Sequence, residues 1–121
     1  MSTTTRCDLQ LIVASGPEDA QRALIGIQLA LTTALMGDTV SVWLTGNGAV
    51  WACETEAAQD TSPLGGQIRE TLERIAELGG EVGVCPSCRD AHCGPDESGE
   101  ALPTGLAAIA ARLSKTPTMV F

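Results

Sequence analysis

A small parallel-sheet α/β protein is the fold class this chain predicts, and three observations predict it. Short apolar runs without strict alternation, such as Leu9 to Ala14, recur between stretches of helical periodicity, which is how strands buried on both faces read. Glycines punctuate the changes of period, at Gly37, at Gly46 and Gly48, and at Gly79-Gly80. Apolar residues make up 44% of the chain but the aromatics are only Trp43, Trp51 and Phe121, so the core must be built from Leu, Ile, Val and Ala, as in layered α/β domains. The 121 residues fit one domain, 1–121.

Each element follows in turn. Leu9 to Ala14 is a first strand. Ser15-Gly16-Pro17-Glu18 reads as a capping box, with Ser15 as N-cap and Glu18 at the third helical position. The helix it opens runs to about Met36, and Gly37 supplies its C′ residue. Thr39 to Thr45 is a second strand, Gly46-Asn47-Gly48 a turn, and Ala49 to Glu54 a short helix. Thr55 to Pro63 is a polar connection. Gln67 to Leu78 is amphipathic, with Ile68, Leu72, Ile75 and Ala76 on one face. Glu81 to Val84 is a third strand that delivers the chain to Cys85. From Pro86 to Pro103 there is almost no apolar residue, which marks the stretch as functional or mobile. Leu106 to Leu113 is a last helix and Thr118 to Phe121 a last strand. Strands alternating with helices imply a three-layer α/β/α arrangement around a parallel sheet of four to five strands, flavodoxin-like in general architecture.

Charge excludes several function classes. Seven basic residues against fifteen acidic ones give a formal charge of −8, so the basic footprint of a nucleic-acid binder is missing. An anionic membrane surface is disfavoured for the same reason. The uncharged stretch from Ala23 to Gly37 is shorter than the ~20 apolar residues of a spanning helix, and the amino-terminal residues lack the pattern of a signal peptide. A cytoplasmic protein is expected. The helix that includes Leu24, Ile25, Ile27, Leu29, Leu31, Leu35 and Met36 has no charge between Arg22 and Asp38. Apolar residues cover more than one stripe of it, which favours burial against another subunit.

Five cysteines in a reducing compartment favour thiol chemistry or a metal over a disulfide framework. In open parallel sheets ligands bind beyond the carboxyl ends of the strands, and three loops leave such ends: Ser15-Gly16, Gly46-Asn47-Gly48, and Cys85 onward. The third carries reactive side chains. Cys85 and Cys88 have the C-x-x-C spacing, and Arg89 follows. A neighbouring thiol, a cation or a helix N-terminus each favours the thiolate. A buried inert thiol would account for Cys85 but not for Cys88 or Cys93 in a polar loop. Metal is the rival reading, because Cys85, Cys88, His92 and Cys93 offer four ligands within nine residues. The adjacency of His92 and Cys93 counts against it, since adjacent side chains diverge. Cys7 and Cys53 have no spacing partner and read as structural. The glycine turn is a weak nucleotide signal, because the full G-x-G-x-x-G is missing.

With these pieces placed, the chain resembles the DsrE/DsrF-like family of small sulfur-relay proteins. The likeness rests on the segments Leu11 to Asp19, Val42 to Val50 and Gly83 to Ala91, which resemble the family's first strand and loop, its second strand and glycine turn, and the cysteine loop of its C-x-x-C members. The resemblance implies a cytoplasmic sulfur carrier or sulfurtransferase that holds sulfane sulfur as a cysteine persulfide and works between sulfur-donor and sulfur-acceptor proteins. It also implies a homotrimer or homohexamer with the cysteine near a subunit boundary, and the apolar first helix places the contacts among Leu24 to Met36 or Trp51. Cys85 and Cys88 fall on the family's cysteine positions, with Arg89, His92 and Cys93 in support, and no organic cofactor is needed. Similar members continue with Arg-Gly after the position of Ala91, where this chain has His92-Cys93-Gly94. That departure leaves open a gained thiol or a metal site. The alternatives are a zinc- or iron-binding module built on the loop, and a non-catalytic interaction subunit.

Overall fold

The computed structural model describes residues 7–55, 59–94 and 102–121. Met1 to Arg6, read above for a leader, lie outside the described residues. So do residues 56–58 of the polar connection and 95–101 of the polar stretch. The strands are β1 (Leu9–Val13), β2 (Val40–Leu44), β3 (Glu81–Val84), β4 (Leu102–Pro103) and β5 (Thr118–Val120). The helices are α1 (Ala20–Leu35), α2 (Pro63–Glu77), α3 (Pro86–Cys93) and α4 (Leu106–Ala110). All strand pairs are parallel, in the order β4-β3-β2-β1-β5. This is the α/β arrangement the alternation of elements predicts.

Strand register sorts the side chains onto two faces. Leu11 pairs with Val42 and Val42 with Val82; Val13 pairs with Leu44 and Leu44 with Val84. These residues share one face and pack with Ala23, Ile27 and Ala30 of α1 and Ile68, Leu72 and Ile75 of α2 in the main core. The opposite face carries Gln10, Ile12, Ser41 and Trp43, under α4 and the chain around it. There Trp43 Nε1 donates to the Thr104 carbonyl at 2.8 Å, and Gln10 Nε2 donates to the Ile109 carbonyl at 3.3 Å.

The helix ends show where tertiary partners override local signals. Ser15 does not cap α1. Its N–H and its Oγ both donate to the Phe121 carbonyl, at 3.2 and 2.7 Å. A 3-10 turn over Pro17–Asp19 intervenes, and Asp19 is the N-cap, accepting from the Arg22 N–H. Glu18 keeps the backward half of the capping box by accepting from the Gly16 N–H at 2.8 Å. Gly37 takes φ +96 after the last turn, as a C′ glycine should. Helix α2 starts at Pro63, earlier than its apolar period indicates, because Ser62 Oγ accepts from the Gly65 N–H and Pro63 suits the first turn. The segment after β2 is a 3-10 helix over Gly46–Ala52.

Trp51 is 3% exposed, and its Nε1 donates to the Ser15 carbonyl at 2.9 Å. It is therefore buried by its own domain, and the expectation that it meets a neighbouring subunit is corrected. Helix α1 divides as its sequence suggests: Ala23, Leu24, Ile27 and Ala30 are buried, whereas Ile25, Leu29, Leu35 and Met36 stay exposed. No helix among the described residues is long and apolar enough to cross a membrane.

Backbone crowding at the carboxyl edge yields a stability prediction. A Cβ on Gly48 would overlap the Val13 carbonyl, whereas one on Gly66 in α2 meets nothing within 4 Å. Gly48→Ala should lower the unfolding free energy by at least about 1–3 kcal/mol, the usual cost of overpacking. Gly66→Ala should raise it by about 0.5–1 kcal/mol through helix propensity. Urea denaturation of the two variants checks both signs.

Candidate functional site

Strand β3 ends on a hydrogen bond from the Cys85 N–H to the Leu44 carbonyl, at 2.9 Å. Pro86 has no N–H to continue the ladder, and its fixed φ suits a first helical residue. The chain therefore turns directly from strand to helix, with Cys85 as the N-cap of α3. The stretch read as functional or mobile is thus helical from Pro86 to Cys93. The three loops expected to cluster do so. The Gly48 N–H donates to the Ala14 carbonyl at 3.2 Å, the Thr45 N–H to the Val13 carbonyl at 3.0 Å, and Thr45 Oγ1 lies 3.6 Å from Cys88 Sγ.

The two thiols of the C-x-x-C pair have different surroundings. Cys85 is partly exposed, with its Sγ 3.4 Å from Ser87 Oγ. Burial pushes its pKa up. The Ser87 hydroxyl, and the Cys88 N–H, Cys88 thiol and Ser87 N–H near the sulfur, outweigh that and bring it to about 7. The Sγ closes no capping hydrogen bond, yet the first N–H groups of α3 face it closely enough to favour the thiolate. Cys88 lies on the inner side of α3, packed on the rim of the main core, with its Sγ 3.6 Å from Thr45 Oγ1 of the loop after β2.

The remaining expected site residues are placed differently. Cys85 owes its lowered pKa to Ser87 and Cys88, not to the charge of Arg89. Arg89 is half-buried, and its Nε is buried without a hydrogen-bond partner. His92 is exposed in the last turn of α3. Cys93 forms a disulfide with Cys53, Cα to Cα 5.3 Å across a sequence separation of 40. Cys53 is thus structural, as read, but the preference against a disulfide and the reading of Cys93 as a supporting thiol or ligand are overturned. The alternative metal set of Cys85, Cys88, His92 and Cys93 is not gathered either. Among the described residues no group of three or more His, Cys, Asp or Glu side chains is disposed to hold a metal ion.

Ser87 and Thr45 are the contributors that the sequence reading passed over. Ser87 was legible from its place inside the C-x-x-C loop. Thr45 has no sequence signal, because its relation to Cys88 depends on the register of β2 against β3. Two concavities of about 440 and 450 Å³ lie elsewhere, and no cysteine lines either of them.

These features define a class of protein: a small parallel α/β domain that carries a C-x-x-C thiol pair on the carboxyl edge of its sheet, one thiol acidified and the other half-buried. Residues 9–118 match the DsrE/DsrF-like family, and the chain belongs to that family. Membership suggests a sulfur-relay role, in which family proteins work with partner proteins. The crystal structure of the ychN protein from E. coli is similar in fold, with a TM-score of 0.76 over 95% of this chain and 99% of that chain, at 12% sequence identity. Among curated proteins the comparison finds no match.

A pH prediction follows from the site. The rate of Cys85 alkylation by iodoacetamide should rise with pH through a midpoint of about 7, because the thiolate is the nucleophile. Ser87→Ala removes a donor to the sulfur and should move that midpoint upward. A midpoint that stays in place on Ser87→Ala would show that the hydroxyl does not stabilise the thiolate.

Proposed function

We propose that this protein is a sulfur carrier, a sulfurtransferase in the broad sense, that passes sulfane sulfur as a persulfide on Cys85. The observation that carries the proposal is the placement of Cys85: partly exposed at a helix N-terminus, with a pKa brought to about 7, so that about half is thiolate at neutral pH. In the loading step the Cys85 thiolate attacks the outer sulfur of a donor persulfide. A sulfur–sulfur bond forms to Cys85, the donor's breaks, and the donor departs as its thiolate. In the unloading step an acceptor thiolate attacks the outer sulfur of Cys85-persulfide, and Cys85 leaves as thiolate.

Cys88 serves as the second acceptor or the resolving thiol, and Thr45 holds it close. If Cys88 attacks the inner sulfur of the persulfide, hydrosulfide leaves and a Cys85–Cys88 disulfide forms. No cofactor enters these steps. The open position of Cys85, apart from both concavities, suits delivery to the exposed thiol of another protein better than turnover of an enclosed small molecule. Sulfur-donor and sulfur-acceptor proteins of the cytoplasm are the partners this reading implies.

Reduced protein incubated with a persulfidated donor or polysulfide should gain mass in steps of one sulfur atom. The gain should map to the peptide containing Cys85 and Cys88 and be reversed by reductant. Cys85→Ser should abolish loading, and Cys88→Ser should weaken transfer or trap the persulfide. Loading confined to Cys7, or normal transfer after Cys85→Ser, would reject the assignment. Normal function after loss of both thiols would favour a non-catalytic interaction subunit.

The same reading includes a closed homo-oligomer, a trimer or hexamer, supported by the exposed Ile25, Leu29, Leu35 and Met36 along α1. Light scattering at micromolar concentration should give a multiple of the 12.5 kDa chain mass. A single monomeric species would reject it.

A further inference from the structure

The Cys53–Cys93 disulfide takes no part in the sulfur chemistry proposed above, yet it joins two segments of very different anchorage. Cys53 directly follows the 3-10 helix Gly46–Ala52, which is fixed from several sides. Trp51 is buried and bonded to the Ser15 carbonyl, Ala49 and Ala52 are buried, and the Gly48 N–H is bonded to the Ala14 carbonyl. Cys53 itself is 1% exposed. Cys93 closes α3, an eight-residue helix with no fully buried side chain. Helices that short are marginal without tertiary support. The amino end of α3 is held by the Cys85 ladder bond and the seating of Cys88 against Thr45. Its last residue is held by the disulfide, on a base that cannot move without disturbing the core.

We propose that the Cys53–Cys93 pair is a redox-controlled clamp on α3: oxidised, it holds the helix in the place that sets the geometry of Cys85 and Cys88, and reduced, it lets α3 loosen and the thiol pair lose that geometry. This rests on the reading of Cys85 as the working thiol. The chemistry requires a dithiol reductant, a small dithiol or a dithiol protein. Its thiolate attacks the sulfur of Cys93, the less buried residue of the two. The disulfide breaks, and Cys53 leaves as thiolate and takes up a proton. The second thiol of the reductant then attacks the mixed disulfide and releases Cys93, so the two electrons end on Cys53 and Cys93 and the reductant becomes a disulfide. In a reducing compartment such a pair is switched rather than permanent, which gives the second pair a regulatory role over the first. Cys53 and Cys93 are positioning residues and touch no sulfur in transit.

The first measurement is a peptide map of unreduced protein, which should contain the Cys53–Cys93 link; a map without it overturns the proposal. The second is Cys85 alkylation as a function of pH in Cys53→Ala/Cys93→Ala, a readout that needs no sulfur transfer. With α3 loosened, the midpoint should move from about 7 toward the ordinary thiol value of about 8.5, and the rate at pH 7 should fall about three- to fourfold after allowing for the greater nucleophilicity of the more basic thiolate. An unchanged midpoint and rate overturn the clamp while leaving the sulfur-carrier reading intact. Normal alkylation shifts in a protein that never loads sulfur would instead reject the carrier reading and keep the clamp.

Should the double variant fail to fold, hydrogen exchange on the Cys85→Ser protein decides, because there the Cys53–Cys93 pair can be reduced with no Cys85–Cys88 disulfide in competition. Reduction should cost residues 86–93 at least about tenfold more protection than β1 and β2. Equal losses in α3 and the sheet would identify a general staple, and no loss in α3 would identify an inert bond; either overturns the proposal.

Discussion

The register of β3 against β2 is the constraint on which the site depends. Its final rung, from the Cys85 N–H to the Leu44 carbonyl, fixes where the strand stops. The next residue is Pro86, which cannot donate to a ladder and is pre-set for a first helical turn. Strand end and helix start therefore fall on one residue, and that residue is a cysteine. A slip of one position would turn every side chain of β3 to the other face. Val84 would leave the main core, and the sulfur would no longer sit at the mouth of α3. The same rung sets Thr45 beside Cys88, since Thr45 follows Leu44 directly and its own N–H is bonded to the Val13 carbonyl.

The four cysteines near this edge separate by environment rather than by spacing. Cys85 faces the N–H groups of a helix start and the Ser87 hydroxyl, which favour the charged sulfur. Cys88 is turned inward against the core rim. Cys53 is buried, and Cys93 reaches it from the far end of α3. One short helix thus carries a reactive thiol at its start and a cross-link at its finish. Loss of order at one end cannot be confined there, because eight residues make little more than two turns.

Much of this was legible in the sequence where the signal was local and repeated. The apolar runs at Leu9, Thr39 and Glu81 gave strands with bounds close to those observed, and Gly37 marked a true helix end. The C-x-x-C loop pointed to Cys85 and Cys88, and the chain's three carboxyl-edge loops do meet. What was not legible depends on partners distant in sequence. Ser15 looked like a cap, but the Phe121 carbonyl, more than a hundred residues away, claims both its N–H and its hydroxyl. Cys53 and Cys93 carry no mutual spacing signal across a separation of 40 residues. Polar composition after Pro86 hid α3, since a short helix lying on a rim needs few apolar residues. The start of α2 was a different kind of miss, because Ser62-Pro63 is a local signal that the apolar period did not reach.

Cys7 shows how a thiol fares at the opposite end of the sheet from Cys85. It lies just before β1, at the amino ends of the strands, where Arg112 meets Glu81 and the Thr116 hydroxyl donates to the Cys7 carbonyl. Burial dominates there and pushes the Cys7 thiol up, although Arg112 and the Leu9 backbone act the other way. In a parallel α/β domain each helix enters from a strand's carboxyl end and leaves toward an amino end. Free helical N–H groups therefore collect at one edge of the sheet and free carbonyls at the other. A thiol at the carboxyl edge meets donors that favour its anion, whereas one at the amino edge meets acceptors that do not. The parallel topology thus favours an acidified thiol at the edge where Cys85 stands, and Ser87 and Cys88 complete the effect there.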